Sequence, residues 1–229
     1  MRGGTILGAR RGIVVAALLG LGAMVRYPGG DPIDRSAARY ALTRNFLSDL
    51  GMTVAYNGDS NRIGAALFAT SLLLLVGSIL IILAELVRRF ASTASARMFA
   101  RAAALVGLMT AVAFIVVAFT PEDQLMAVHV QATMLAFRIV PVAAALLAAA
   151  AWSDGERQRR SAVVLSGLTT VLALYAAFLA WGPSTVSLAG LQTNVIAQKV
   201  VAIVLVGVLL SLNPRVPKAG HGNLSGVAT

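Results

Sequence analysis

The chain has 229 residues, 58% of them hydrophobic and only 12% charged, with a mean hydropathy of +0.82. A soluble domain carries about 25% charged residues, so disorder and a large soluble enzyme are both excluded, and a polytopic α-helical membrane protein remains. A net charge of +10 comes with no cysteine and two histidines. No disulfide, no thiolate metal site and no three-histidine zinc centre can be built within one such chain.

A membrane span needs about 20 mainly apolar residues to cross roughly 30 Å of hydrocarbon. The first candidate, Gly12–Val25, is short. Arg10, Arg11 and Arg26 must snorkel, or the helix must run past them. Basic residues ahead of an apolar run also suit a cleaved signal peptide, but no small-x-small cleavage site precedes Arg26, which favours a retained span.

Residues 27–61 form the one long connection, and loops of that length carry structure or function. Asp31-Pro32-Ile33-Asp34 reads as a helix start, with Asp31 as cap and Pro32 in the first turn. Ile33, Ala37, Tyr40, Leu47 and Leu50 recur at near-helical spacing, which predicts an amphipathic helix lying on the outer membrane surface. Gly51 ends it, and Asn57-Gly58-Asp59 is turn chemistry ahead of the second span.

The second and third spans are Ile63–Val87 and Met98–Phe119, with Glu85 placed for a local ion pair to Arg88 and Arg89. The fourth, Leu125–Trp152, holds the polar residues of most interest. His129 lies about one turn inside its outer end. Arg138 lies about 13 Å deeper and on the opposite face, which it shares with Gln131. An unpaired guanidinium near the midplane costs about 2.5–3.5 kcal/mol even on lenient scales. Arg138 is therefore expected to point into the bundle, onto carbonyls, polar side chains, water or an anionic headgroup, with the fourth span central. Pro141 offers a kink point.

The fifth and sixth spans are Ser161–Trp181 and Val195–Leu212. Lys199 lies about one turn below the outer surface, beside Gln198, placed either to snorkel outward or to pair with Asp49, Asp123 or a phosphate. Residues 214–229, with His221, read as a flexible cytoplasmic tail.

Arg2, Arg10, Arg11, Arg88, Arg89, Arg97, Arg101, Arg157, Arg159, Arg160, Arg215 and Lys218 fall on one side of these spans. On the other side five arginines are offset by Asp31, Asp34, Asp49 and Asp59. The positive-inside rule then predicts one all-α, six-helix domain over residues 1–213, in the cell's inner (plasma) membrane, with both termini cytoplasmic.

Asp49, Asp123, His129, Gln198 and Lys199 all fall near the outer leaflet, which predicts a polar pocket roofed by the long loop. Nucleotide, zinc-protease and serine-hydrolase motifs are missing, and one intramembrane histidine cannot hold haem. The expected function is binding of a lipid or other amphiphile, with Arg138 and Lys199 on an anionic headgroup. The alternative is an accessory or structural subunit of a larger membrane complex. An enzyme with His129 as base and Asp123 or Asp49 orienting it, or a transporter, ranks lower. Expected partners are membrane lipids, other membrane subunits or a second copy. Nucleic acid, metals and cofactors are not implied.

Arg44-Asn45-Phe46-Leu47-Ser48-Asp49-Leu50-Gly51, between the first two spans, resembles the SDLG outer-loop motif of the uncharacterised membrane family catalogued as domain of unknown function 998. Its Ser-Asp-x-Gly core is also similar to a segment of the DRAM/Frag/Sfk-type six-helix proteins. Pro121-Glu122-Asp123 followed by His129 resembles the family's entrance to the fourth span. Gln198-Lys199 stands where the family pattern leads one to expect Gln-Arg, and the lysine loses bidentate geometry. The resemblance implies a six-helix bundle with an outward polar pocket, and adds Asn45 and Ser48 to the candidate ligand-binding residues. It implies no established activity. Membrane hydrolases of the ceramidase and progestin-receptor type use several histidines for zinc, which this chain lacks.

Overall fold

A computed structural model describes residues 2–212. Among them six α-helices are long and apolar enough to cross a membrane: α1 Arg2–Arg26, α2 Arg62–Arg89, α3 Ala94–Phe119, α4 Glu122–Ser153, α5 Arg159–Trp181 and α6 Leu188–Ser211. Two 3-10 turns, Ser48–Gly51 and Glu156–Gln158, complete the regular structure, and the described residues form no strand. The tail at 214–229, with His221, lies outside the described residues.

Each helix begins or ends where local chemistry allows. Thr93 Oγ1 accepts from Ala96 N at 3.0 Å to start α3, and Ser187 Oγ accepts from Gly190 N at 3.1 Å to start α6. The second cap explains why α6 begins seven residues ahead of the predicted span. α1 begins ten residues ahead of its predicted span, because Arg10 and Arg11 do not interrupt the buried stripe Ile6, Ala9, Ile13, Ala16, Ala23. Arg11 is exposed, and Arg10 Nη2 donates to the Leu212 carbonyl at 2.7 Å, at the end of α6. The backbone stays helical through Pro141, and the break in α4 is instead at Leu125.

Helices adjacent in sequence pack side by side. Small residues set the spacing. Buried Ala100, Ala103, Ala144, Ala148 and Ala151 line α3 and α4, and Ser71 Oγ of α2 donates to the Ala16 carbonyl of α1 at 2.7 Å. A Cβ on Gly12 would run into Ser78 Oγ. Edge-on rings of Phe114, Phe137 and Tyr175, with centroids 5.5 and 5.0 Å apart, join α3, α4 and α5.

The two ends of the bundle differ. At one end, called here the basic end, residues of all six helices share one hydrophobic cluster around Phe90, Ile13, Leu165 and Ala151. At the other, the loop end, a separate cluster joins Ala23 and Phe68 to the loop residues Tyr27, Tyr40, Leu50 and Ala55. The outside of the helices is apolar: Leu18, Ile81, Leu105, Leu135, Leu174 and Ile203 are exposed.

The predicted amphipathic helix in residues 27–61 is not formed. The segment is a chain of turns, closed by the 3-10 turn at Ser48–Gly51. Asp31 does cap, accepting from Ile33 N at 3.0 Å and Asp34 N at 2.8 Å, yet no helix grows from it. Asp34 Oδ1 takes the Ser36 backbone N–H and hydroxyl, at 2.9 and 2.7 Å, in place of helical bonding. The Gly30 N–H turns back to the Ala37 carbonyl at 2.7 Å. Gly30 has φ +79, and a Cβ there would collide with Asn57 N and Tyr56, so only glycine fits.

Candidate functional site

The candidate site residues lie where the loop meets α4 and α6. Asn45 is fully buried: its Nδ2 donates to the Gly30 carbonyl and to Asp49 Oδ2, both at 3.0 Å, and its Oδ1 accepts from Ala41 N at 2.9 Å. Asp49 Oδ2 also accepts from Phe46 N at 3.0 Å, while Oδ1 has no hydrogen-bond partner among the described residues. Burial pushes the Asp49 carboxyl up to about 7, helped by the nearby Glu122 carboxylate and opposed by the Asn45 and Phe46 hydrogen bonds and by Lys199.

α6 reaches into the loop with two neighbouring side chains. Gln198 Oε1 accepts from Leu47 N at 2.8 Å, and Lys199 Nζ donates to the Asn45 carbonyl at 2.5 Å. The same ammonium stands 5.2 Å from the centre of the Tyr40 ring. The Tyr40 hydroxyl donates toward the Asn45 and Phe46 carbonyls, both at 3.1 Å. Lys199 therefore holds the loop by a carbonyl and a ring and does not snorkel outward.

α4 grips the loop at two further points. Asp123 accepts from Thr53 N at 2.9 Å, Thr53 Oγ1 at 2.7 Å and Val54 N at 3.1 Å, on the exposed side. Glu122 points the other way: its carboxylate faces the Ser48 hydroxyl and lies 4.0 Å from His129 Nε2. The break at Leu125 separates the first turn of α4 from the rest, and Glu122 and His129, seven apart, come to one face.

His129 is buried, and its Nδ1 lies 2.6 Å from the Thr120 carbonyl. A carbonyl only accepts, so Nδ1 carries a proton. Nε2 has no hydrogen-bond partner among the described residues. The Glu122 separation exceeds hydrogen-bond distance, and the pairing of His129 with Asp123 or Asp49 that base catalysis was expected to use is not made.

Asn45, Ser48, Asp49, Asp123, Gln198 and Lys199 thus all bear on residues 45–54 of the loop, with His129 reaching it through Glu122. The SDLG stretch is the 3-10 turn that buries Asp49 and Leu50. No group of three or more His, Asp or Glu side chains suited to a metal ion occurs among the described residues.

Arg138 stands apart. The expectation that it points into the bundle is corrected: its side chain is exposed, and among the described residues it makes no hydrogen bond or ion pair. α4 is the most buried of the six helices, but only its His129 face is covered. It packs between α3 and α5 and leaves open a stripe Gln124, Val128, Gln131, Leu135, Arg138, Val142 at alternating spacings of four and three. His129 and Arg138 do lie on opposite faces, one buried and one open.

Several anchoring residues escaped the sequence reading. Glu122 was read only as part of the entrance to the fourth span, although its spacing to His129 was visible. Asn61, buried, donates to the Leu50 and Met52 carbonyls at 3.1 and 2.8 Å. Asp31, buried, pairs with Arg44 Nε at 3.0 Å. Nothing in the spacing of Asn61 or Asp31 marks them as buried, because each is enclosed by loop backbone.

No protein-family model, curated protein or solved structure matches this chain.

Proposed function

We propose that this chain is a six-span protein of the cell's inner membrane, with both termini cytoplasmic. In that setting it serves as an accessory subunit whose α4 docks on an acid-bearing transmembrane helix of another protein. Six long apolar helices with an apolar exterior support membrane residence. Arginines gathered at one end, from Arg10 to Arg160, support the orientation. Membership of the domain of unknown function 998 family belongs to the same proposal.

Arg138 carries the docking reading. It lies about 23 Å from either end of α4, at the centre of the helix and on its open face. About 15 Å of hydrocarbon then separates it from either interface, too far for snorkelling to a headgroup. A carboxylate on a neighbouring helix satisfies it, and Gln131 on the same stripe adds hydrogen bonding. A second copy cannot supply that carboxylate. Of the nine acidic residues, four lie in the loop and four at or beyond the ends of α4; Glu85 is about 6 Å from the end of α2 and paired with Arg88 at 2.6 Å. An amphiphile headgroup at the loop end would have to displace loop backbone from Gln198 and Lys199, so that reading ranks second.

The test is native mass spectrometry of gently solubilised native membranes, with a photoreactive residue at Leu135 or Val142. Wild type is expected to carry one different membrane protein in fixed stoichiometry. Arg138→Glu is expected to release it, and an acid-to-arginine change in the crosslinked partner helix to restore it. Crosslinks to a second copy or to lipid alone, or a complex indifferent to Arg138→Glu, overturn the docking reading.

A further inference from the structure

At the basic end a cleft of about 210 Å³ opens between the ends of α2 and α6 and the start of α5. Arg89, Arg157 and Arg160 line it together with Ser161 and Ser211. Arg160 and Ser161 are the second and third residues of α5, and the helix start has no side-chain cap.

The carboxylates at this end answer Arg88, Arg89 and Arg159. Glu85 pairs with Arg88 at 2.6 Å and Glu156 with Arg159 at 3.1 Å, while Asp154 accepts from the Ser92 N–H and hydroxyl. Arg157 and Arg160 are exposed and make no hydrogen bond or ion pair among the described residues. Residues 213–229 add no carboxylate side chain and bring Arg215, Lys218 and His221. Guanidinium groups present forks of N–H donors matched to phosphate oxygens. Val164 and Leu212 complete the lining with apolar surface.

We infer that this cleft binds the phosphate of an anionic membrane lipid, with Arg157 and Arg160 on the phosphate and the acyl chains leaving past Val164 and Leu212. The inference rests on the membrane placement proposed above, which puts the basic end at the cytoplasmic interface, where basic pockets between helices take anionic headgroups. It is independent of the docking face on α4.

The experiment uses the full chain in nanodiscs of phosphatidylcholine with or without one fifth phosphatidylglycerol. Lipid retention is read by native mass spectrometry and thermal stability by melting. Phosphatidylglycerol is expected to be retained and to raise Tm in wild type. The double variant Arg157→Gln/Arg160→Gln is expected to bind it about tenfold more weakly with unchanged helicity. Arg101→Gln, at the same end but outside the cleft, is expected to behave as wild type. Equal retention by the double variant overturns the inference. So does a rise in Tm with millimolar inorganic phosphate in phosphatidylcholine alone, which would assign the cleft to free phosphate. A chain that stays out of the nanodiscs and is washed from membranes by alkaline carbonate defeats the membrane placement itself. An inserted chain indifferent to phosphatidylglycerol defeats only the cleft.

Discussion

At Asp49 burial and ionisation are in conflict. Its carboxyl has one oxygen held by two donors and the other without a hydrogen-bond partner, in a fully buried turn. The folded state holds its pKa near 7, above the ordinary carboxylate value of about 3.9, so folding favours the protonated form. The stability contributed by this group is complete below about pH 4 and is lost as pH rises through 7, by a few kcal/mol at most. Wild type in detergent is expected to melt at lower temperature at pH 8.5 than at pH 5. Asp49→Asn keeps the acceptor for Asn45 and Phe46 and cannot ionise, so the difference between the two pH values should shrink in that variant. An equal slope in both proteins would place the ionisation elsewhere.

Single helices were legible to different depths. Length and hydropathy located all six, because the cost of leaving backbone groups unbonded in an apolar medium forces long uninterrupted runs. The beginnings of α1 and α6 lie ahead of the predicted spans, since an exposed Arg11, an Arg10 bonded to the Leu212 carbonyl and a serine cap do not interrupt a helix. The loop was misread for a definite reason. Its apolar residues repeat with helical spacing, but Asp31, Asp34, Asn45 and Asn57 bond the backbone through their side chains and draw it into turns. Gly30 is one of the tight points of this loop. Gly30→Ala is expected to lower stability by about 2–3 kcal/mol, since it meets both a positive φ and the backbone of residues 56 and 57. Rapid proteolysis within residues 27–61 of the variant, with the helices intact, is the expected signature. A variant as resistant as wild type would show that the loop can relax around the new methyl group.

For the whole molecule, charge placement makes the sharpest demand. The chain has no cysteine, so any introduced thiol is a unique label. Ala38→Cys, on the exposed loop, is expected to react with an impermeant maleimide on intact cells. Ser95→Cys, exposed at the basic end, should react only after permeabilisation. The opposite pattern would invert the orientation. The candidate site was half legible at this scale. The order of Asp49, Asp123, His129, Gln198 and Lys199 along the spans brought them to one end, as helix length dictates. What they hold there was not legible, because Leu47 N and the Asn45 carbonyl are backbone groups that carry no sequence signature.

The grip of α6 on the loop also sets an order of events in biogenesis. Residues 45 and 47 are fastened by Gln198 and Lys199, about 150 positions later in the chain, so this part of the loop lacks those two bonds until α6 has been synthesised. A chain truncated before α6 is expected to leave the Asp49 turn unsecured, and faster proteolysis within residues 45–54 is the measurement that checks it.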